Sequence, residues 1–254
     1  MRFEVLGCSG GIGASLRTTA FLVDDDILID AGTGATDLTL EQLARIDHVF
    51  VTHSHLDHIA AIPWLVDTVG GERDAPLTVH ALDATIRALK EHIFNWRIWP
   101  DFTKIPNAEQ PYLRFESITI GHAAHLDGRT IIPISANHVV PTVGYQLSSG
   151  EASLIFSADT TANDALWEAA NRCQNLRYLL IETAFSNKDR AIAQASKHLY
   201  PDLLAMELQK FTGDAEVLVT HMKPGEEIDI MAELEKGVVG RTLKPLLQGQ
   251  VLEF

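Results

Sequence analysis

The chain has 254 residues, is 46% hydrophobic and carries a formal net charge of −14 at pH 7. That length supports one substantial core in one or two domains, and no run approaches the ~18 uninterrupted apolar residues of a membrane-spanning helix. Its 20 Lys and Arg are scattered among 34 Asp and Glu, which disfavours a long polyanion such as nucleic acid as partner but leaves a small anion open.

Phe3–Leu6, Thr19–Val23 and Ile27–Asp30 read as strands, the first entering the glycine loop Gly7-Cys8-Ser9-Gly10-Gly11. The N-terminus lacks the apolar core and cleavage site of a signal peptide. Thr39-Leu40-Glu41-Gln42 has capping-box spacing ahead of a helix to about Arg45. Asp47–Val51 is a short buried strand, and Ile59–Val66 an apolar helix or helical turn. A strand at Leu77–Ala81 and a helix from Asp83 to about Phe94 follow. The middle is strand-rich: Leu113–Ile120, Thr130–Asn137, Thr142–Leu147 and Ser153–Ser157. Helices are predicted at Ala162–Arg172, Ile192–Phe211 and Met231–Lys236, with strands at Tyr178–Ile181, Glu216–Thr220 and Gln248–Phe254. The pattern is α/β: two sheets packed together and covered by helices, in one domain over residues 1–254. The two cysteines, Cys8 and Cys173, make no disulfide framework and suit a reducing cytoplasm.

Between the strand Asp47–Val51 and the helix after it lies His53-Ser54-His55-Leu56-Asp57-His58, on a loop that a rigid scaffold can present. Alternation sends His53 and His55 one way, while Asp57 and His58 open the next turn toward a second point. One ion cannot take all four without strain; two ions a few Å apart can. Three further residues each follow an apolar strand: His138, Asp159 and His221. Imidazole and carboxylate donors suit zinc, manganese or iron.

His-x-His-x-Asp-His followed by an isolated His, Asp and His after strands resembles the metallo-β-lactamase superfamily, over most of the chain. The resemblance implies an αββα sandwich with two divalent ions, zinc foremost. His53, His55 and His138 would hold the first, Asp57, His58 and His221 the second, and Asp159 both. Within the superfamily, Ile181-Glu182-Thr183-Ala184-Phe185, Lys197-His198-Leu199-Tyr200-Pro201 and the segment His92–Pro100 look like the class II cyclic-nucleotide phosphodiesterases. That family hydrolyses 3′,5′-cyclic nucleotides (cAMP, cGMP) to 5′-nucleotides through a metal-bridging hydroxide, and it allows a homodimer. By the same resemblance Asp57 serves catalysis, His198 gives a proton to the leaving oxygen and Glu182 holds the His198 ring. Asn95 and Trp99 are the expected substrate contacts, for a stacked and hydrogen-bonded base.

Structural roles compete for several of these: a histidine packed beside Pro201 for His198, amide bonding for Glu182, and a core plug for the aromatic segment 94–102. His92 could belong to the pocket or to a solvated helix. His122 and His125 are read as surface residues of a turn, His48 and His80 as structural, and Arg17, Thr18 and Thr19 as equally suited to phosphate or to folding. Ribonuclease Z, another phosphodiesterase of this fold, is the nearest alternative, although the long basic arm that grips tRNA is not visible. Lactamase or thioester hydrolysis is a weaker one. A non-enzymatic metal-binding nucleotide sensor is the alternative of a different kind.

Overall fold

A computed structural model describes all of residues 1–254. The elements in chain order are β1 (Arg2–Gly7), β2 (Ala20–Val23), β3 (Ile27–Ala31), α1 (Leu40–Arg45), β4 (His48–Phe50), α2 (Leu56–Ile59), α3 (Ile62–Val69), β5 (Leu77–Ala81) and α4 (Asp83–Ala88). Then come β6 (Leu113–Ser117), β7 (Ala124–Leu126), β8 (Arg129–Ala136), β9 (Thr142–Ser148), β10 (Ser153–Phe156), α5 (Asp164–Arg172) and β11 (Leu176–Glu182). The last elements are α6 (Arg190–Ser196), α7 (Pro201–Glu207), β12 (Glu216–Thr220), α8 (Glu227–Gly237), β13 (Leu243–Pro245) and β14 (Val251–Glu253).

The strands form two seven-stranded mixed sheets, ordered β14-β1-β2-β3-β4-β5-β6 and β13-β12-β11-β10-β9-β8-β7. Their strands read as continuous apolar runs because both faces are covered: β2, β3 and β10 are buried throughout. Phe3, Phe21, Ile29 and Phe50 of one sheet meet Tyr145, Leu154, Phe156 and Leu218 of the other in a shared core. A second core lies on the outer face of the first sheet against α3 and α4, and a third on the outer face of the second sheet against α5, α7 and α8. The result is the expected αββα sandwich.

The pairing also sets one functional rim. β3 runs parallel to β4, β10 parallel to β11, and β11 parallel to β12. β8 pairs antiparallel with β9, which pairs antiparallel with β10, so β8 and β10 point the same way. In open α/β sheets, ligands gather outside the carboxyl ends of such strands. Tyr145 donates its hydroxyl to the Val51 carbonyl at 2.8 Å and the Val143 amide donates to the Thr52 carbonyl at 3.1 Å, tying the two sheets together beside the histidine loop.

Five expectations are corrected. Ile192–Phe211 is not one helix: α6 ends at Lys197, which is left-handed (φ 55°), and α7 restarts at Pro201. The residue before a proline avoids helical geometry, and this break leaves His198 between the helices. Ile59–Val66 is two short helices, α2 and α3, and the helix from Asp83 changes to a π-helical turn over Leu89–Ile93. His125 sits in the edge strand β7 rather than in a turn, though still exposed. The strand from Leu113 stops at Ser117.

Candidate metal centre

The residues predicted to ligate metal converge on one rim. His53 follows β4, His55 caps α2, and Asp57 and His58 lie in its first turn. His138 follows β8, Asp159 follows β10, Glu182 ends β11 and His221 follows β12. Donor atoms of His53, His55, His138 and Asp159 lie within 4.8 Å of one another, as do those of Asp57, His58 and His221. A third such grouping joins Asp159 and His221 to His198. Asp159 is central: its Oδ2 is 3.7 Å from His53 Nε2, 3.5 Å from His58 Nε2, 3.9 Å from His138 Nε2 and 3.4 Å from His221 Nε2. Asp57 Oδ2 is 3.8 Å from both His58 Nε2 and His221 Nε2.

The second ring nitrogens show why these imidazoles point inward. His58 Nδ1 bonds Asp30 Oδ2 at 2.7 Å, His53 Nδ1 the Thr52 hydroxyl at 3.0 Å, His138 Nδ1 the Lys197 carbonyl at 3.2 Å and His221 Nδ1 the Thr19 hydroxyl at 3.4 Å. Thr52 in turn donates its amide (2.8 Å) and hydroxyl (2.8 Å) to the Asp30 carboxylate. Such outer contacts fix ring orientation and turn Nε2 inward, where His138 Nε2 meets His55 Nδ1 at 3.3 Å. Nε2 of His53, His58 and His221, with Oδ1 of Asp159, are buried without any hydrogen-bond partner. Buried polar groups are rarely left unpaired, so this convergence fits cations at their centre.

The electrostatics agree. Burial pushes His221 down to about 3 and His138 to about 4, and lowers His53 and His55 as well, so these rings are neutral and ligand-competent at pH 7. Burial alone would raise Asp159, but His221 and His58 outweigh it and hold the carboxyl well below the usual range. His58 is the exception, raised because Asp159 and Asp30 overcome its burial.

His198 closes the site on one side. Its Nδ1 lies 2.8 Å from Glu182 Oε1, which also accepts the Thr160 amide at 3.0 Å, while Glu182 Oε2 is buried and unpaired. The His198 ring stacks on His221 at 5.5 Å and meets His138 edge-on at 4.9 Å. Burial disfavours its protonation, but the Glu182 carboxylate outweighs this and raises it, against a smaller opposing push from Lys223.

The backbone is held in unusual geometry here. Asp30, Ala158, Lys197 and His221 all have positive φ, at 57°, 52°, 55° and 63°. Non-glycine residues adopt this region at a cost, and such residues gather where function over-determines the fold. Gly32 is required by close approach: a Cβ there would meet the Asp57 carbonyl at 2.1 Å.

Asn95 and Trp99 are not brought to this cluster by any contact. The Asn95 amide donates to the Glu91 carbonyl at 2.8 Å and accepts from the Arg97 and Ile98 amides at 3.0 and 2.9 Å, closing a local turn. Trp99 packs with Phe94 and Phe102 on the outer core, which is the core-plug arrangement. His92 is exposed, and His48 and His80 bond each other at 3.0 Å away from the rim. Thr19 touches His221, whereas Arg17 pairs with Asp37 at 3.0 Å. Asp30 and Thr52 were not singled out from the sequence. The available signal was a carboxylate ending an apolar strand before a glycine, in Leu28-Ile29-Asp30-Ala31-Gly32.

Residues 25–238 match the model of the β-lactamase superfamily domain. The chain belongs to that superfamily. It is 26% identical over 298 aligned positions to a probable 3′,5′-cyclic-nucleotide phosphodiesterase of Yersinia pestis, covering 92% of this chain and 84% of that protein. It is 29% identical over 160 positions to ribonuclease Z of Halorubrum lacusprofundi, covering 59% of this chain and 48% of the relative. The crystal structure of unliganded yeast PDE1 superposes over 100% of this chain and 99% of its own with a TM-score of 0.81 at 19% identity, a likeness of fold. The superfamily fold and the histidine–aspartate cluster together make this a metal-binding hydrolase scaffold.

Proposed function

We propose that the chain is a metal-dependent phosphodiesterase that hydrolyses 3′,5′-cyclic nucleotides to 5′-nucleotides. The supporting observation is the ring of unpaired, inward-facing Nε2 atoms around Asp159 with the His198–Glu182 pair at its edge. The full-length likeness to the Yersinia pestis protein supports the substrate class. His53, His55 and His138 would hold one divalent cation and Asp57, His58 and His221 a second, with Asp159 shared; zinc is the foremost candidate for these donors. Bound there, the cations would neutralise phosphate charge and acidify water enough for it to ionise near neutral pH.

The chain's own groups orient and move protons. Glu182, held by the Thr160 amide, engages His198 Nδ1, so the other ring nitrogen is free to hand a proton to the departing 3′ oxygen. Asp30 and Thr52 keep His58 and His53 aimed inward. Asp57 is the most solvent-reachable carboxylate of the cluster, at 29% side-chain exposure, and lies where substrate would enter. Asn95 and Trp99, the expected base contacts, make only local contacts in the free chain, and the steps above do not use them.

The second reading is a ribonuclease Z-like endonuclease, supported by the 29% identity over 160 positions to the Halorubrum lacusprofundi protein. The charge of −14 weighs against a long polyanion. One comparison separates the two: turnover of cyclic AMP, a tRNA precursor and a bis-aryl phosphodiester by metal-loaded wild type and His198→Ala. Cyclic nucleotide turnover that falls by about 10²–10⁴ in the variant, with metal content retained, is the expected result. Cleavage of the tRNA precursor alone would transfer the assignment to the second reading.

A further inference from the structure

Lys223 stands two residues beyond His221, in the turn after β12. Its half-buried side chain donates from Nζ to the Gly10 carbonyl at 2.6 Å and holds its ammonium 5.7 Å from the Phe185 ring centre. The Phe185 ring in turn lies 5.7 Å from the His198 ring. The backbone is pinned as well, with the Lys223 amide donating to the Ala184 carbonyl at 2.9 Å. Gly10 has no room for a side chain: a Cβ would come within 2.4 Å of the His221 carbonyl and 3.2 Å of Lys223 Cδ. The glycine loop therefore packs against the lysine stem and fixes its head beside Phe185, the ring that neighbours His198.

This ammonium has no counter-ion. Lys104, Lys188, Lys210 and Lys244 pair with carboxylates, whereas Lys90, Lys197, Lys223 and Lys236 do not; of these four, Lys223 is the one whose head is held by the glycine loop next to Phe185. An ammonium carries three donors, and only the bond to Gly10 engages one. A fixed, partly desolvated cation with unused donors gains most from an anion, because charge-assisted hydrogen bonds strengthen as water is excluded.

We propose that Lys223 is a substrate-anchoring residue whose ammonium binds a phosphate oxygen of the substrate on the His198 side of the site. The proposal rests on the phosphodiesterase reading and adds the cationic contact which that reading lacks. The oxygen could belong to the phosphate being cleaved or to a neighbouring phosphate; the recognising chemistry is the same. A purely mechanical role, tying the glycine loop to the 222–225 turn, is the competing explanation.

Two substitutions separate charge from strut. Lys223→Gln keeps an N–H for the Gly10 carbonyl and loses the charge; Lys223→Arg keeps the charge. Wild type and both variants, metal-loaded, are compared for turnover of cyclic AMP and of a 5′-phosphorylated dinucleotide, for calorimetric binding of inorganic phosphate, and for Tm and metal content. The expected result is that Lys223→Gln raises KM and weakens phosphate binding by roughly 10- to 100-fold, the scale of one charge-assisted hydrogen bond. In that outcome kcat, Tm and metal content stay near wild type and Lys223→Arg restores most of the loss. A KM rise with both substrates identifies the cleaved phosphate, and a rise confined to the dinucleotide identifies the neighbouring one. Unchanged KM and phosphate binding in Lys223→Gln would overturn the proposal, as would an equal defect in Lys223→Arg accompanied by a lowered Tm. Absence of turnover by wild type on every phosphodiester would instead overturn the functional reading, while phosphate binding would still decide the role of Lys223.

Discussion

Asp30 governs more of the site than its position outside the ligand set suggests. It is fully buried in left-handed geometry and accepts from both Thr52 and His58, while Thr52 anchors His53. One carboxylate thereby orients an imidazole of each ligand group. Asp30→Asn can no longer accept on both oxygens, so one ring loses its anchor. Contacts of this kind typically contribute 10–100-fold in metal affinity. Competition against a chromophoric chelator is expected to show a loss of about that size, with folding retained by circular dichroism. Affinity equal to wild type would mean that the rings need no such support.

At the level of helices and strands, short signals decided what could be read in advance. Thr39 caps α1 as the sequence predicts, its hydroxyl accepting from the Gln42 amide at 3.2 Å while the Gln42 side chain accepts from the Thr39 amide at 2.9 Å. Thr39→Ala is expected to cost about 1 kcal/mol, the usual worth of an N-cap, seen as a lower midpoint in denaturant. No measurable change would show that packing alone holds α1. The strands bearing His138, Asp159 and His221 were legible because each is a run rich in apolar β-formers with a polar donor soon after its end. β7 and β13 were not, since three residues at a sheet edge carry no periodicity. The break at Lys197 was hidden for another reason: a non-glycine residue takes the left-handed conformation there, and only Pro201 hinted at the restart. Aromatics crowd the Asn95 and Trp99 segment for two reasons that one sequence does not separate: Phe94 and Phe102 are buried in a core with Trp99 packed against them, whereas Trp96 is exposed.

Across the whole molecule, two sheets closing on one core bring the ends of β4, β8, β10 and β12 to one rim, which converts scattered sequence positions into adjoining clusters of donor atoms around Asp159. The helices on the outer faces bury the remaining sheet surface and keep that rim open. Counting bound ions tests this arrangement. Purified wild type and Asp57→Ala should be compared for metal content by elemental analysis and for cyclic nucleotide turnover on the same samples. Wild type is expected to hold close to two ions per chain and to hydrolyse the substrate, while Asp57→Ala holds close to one and is inactive. An Asp57→Ala protein that keeps both ions and full activity would contradict a second cation held by Asp57, His58 and His221.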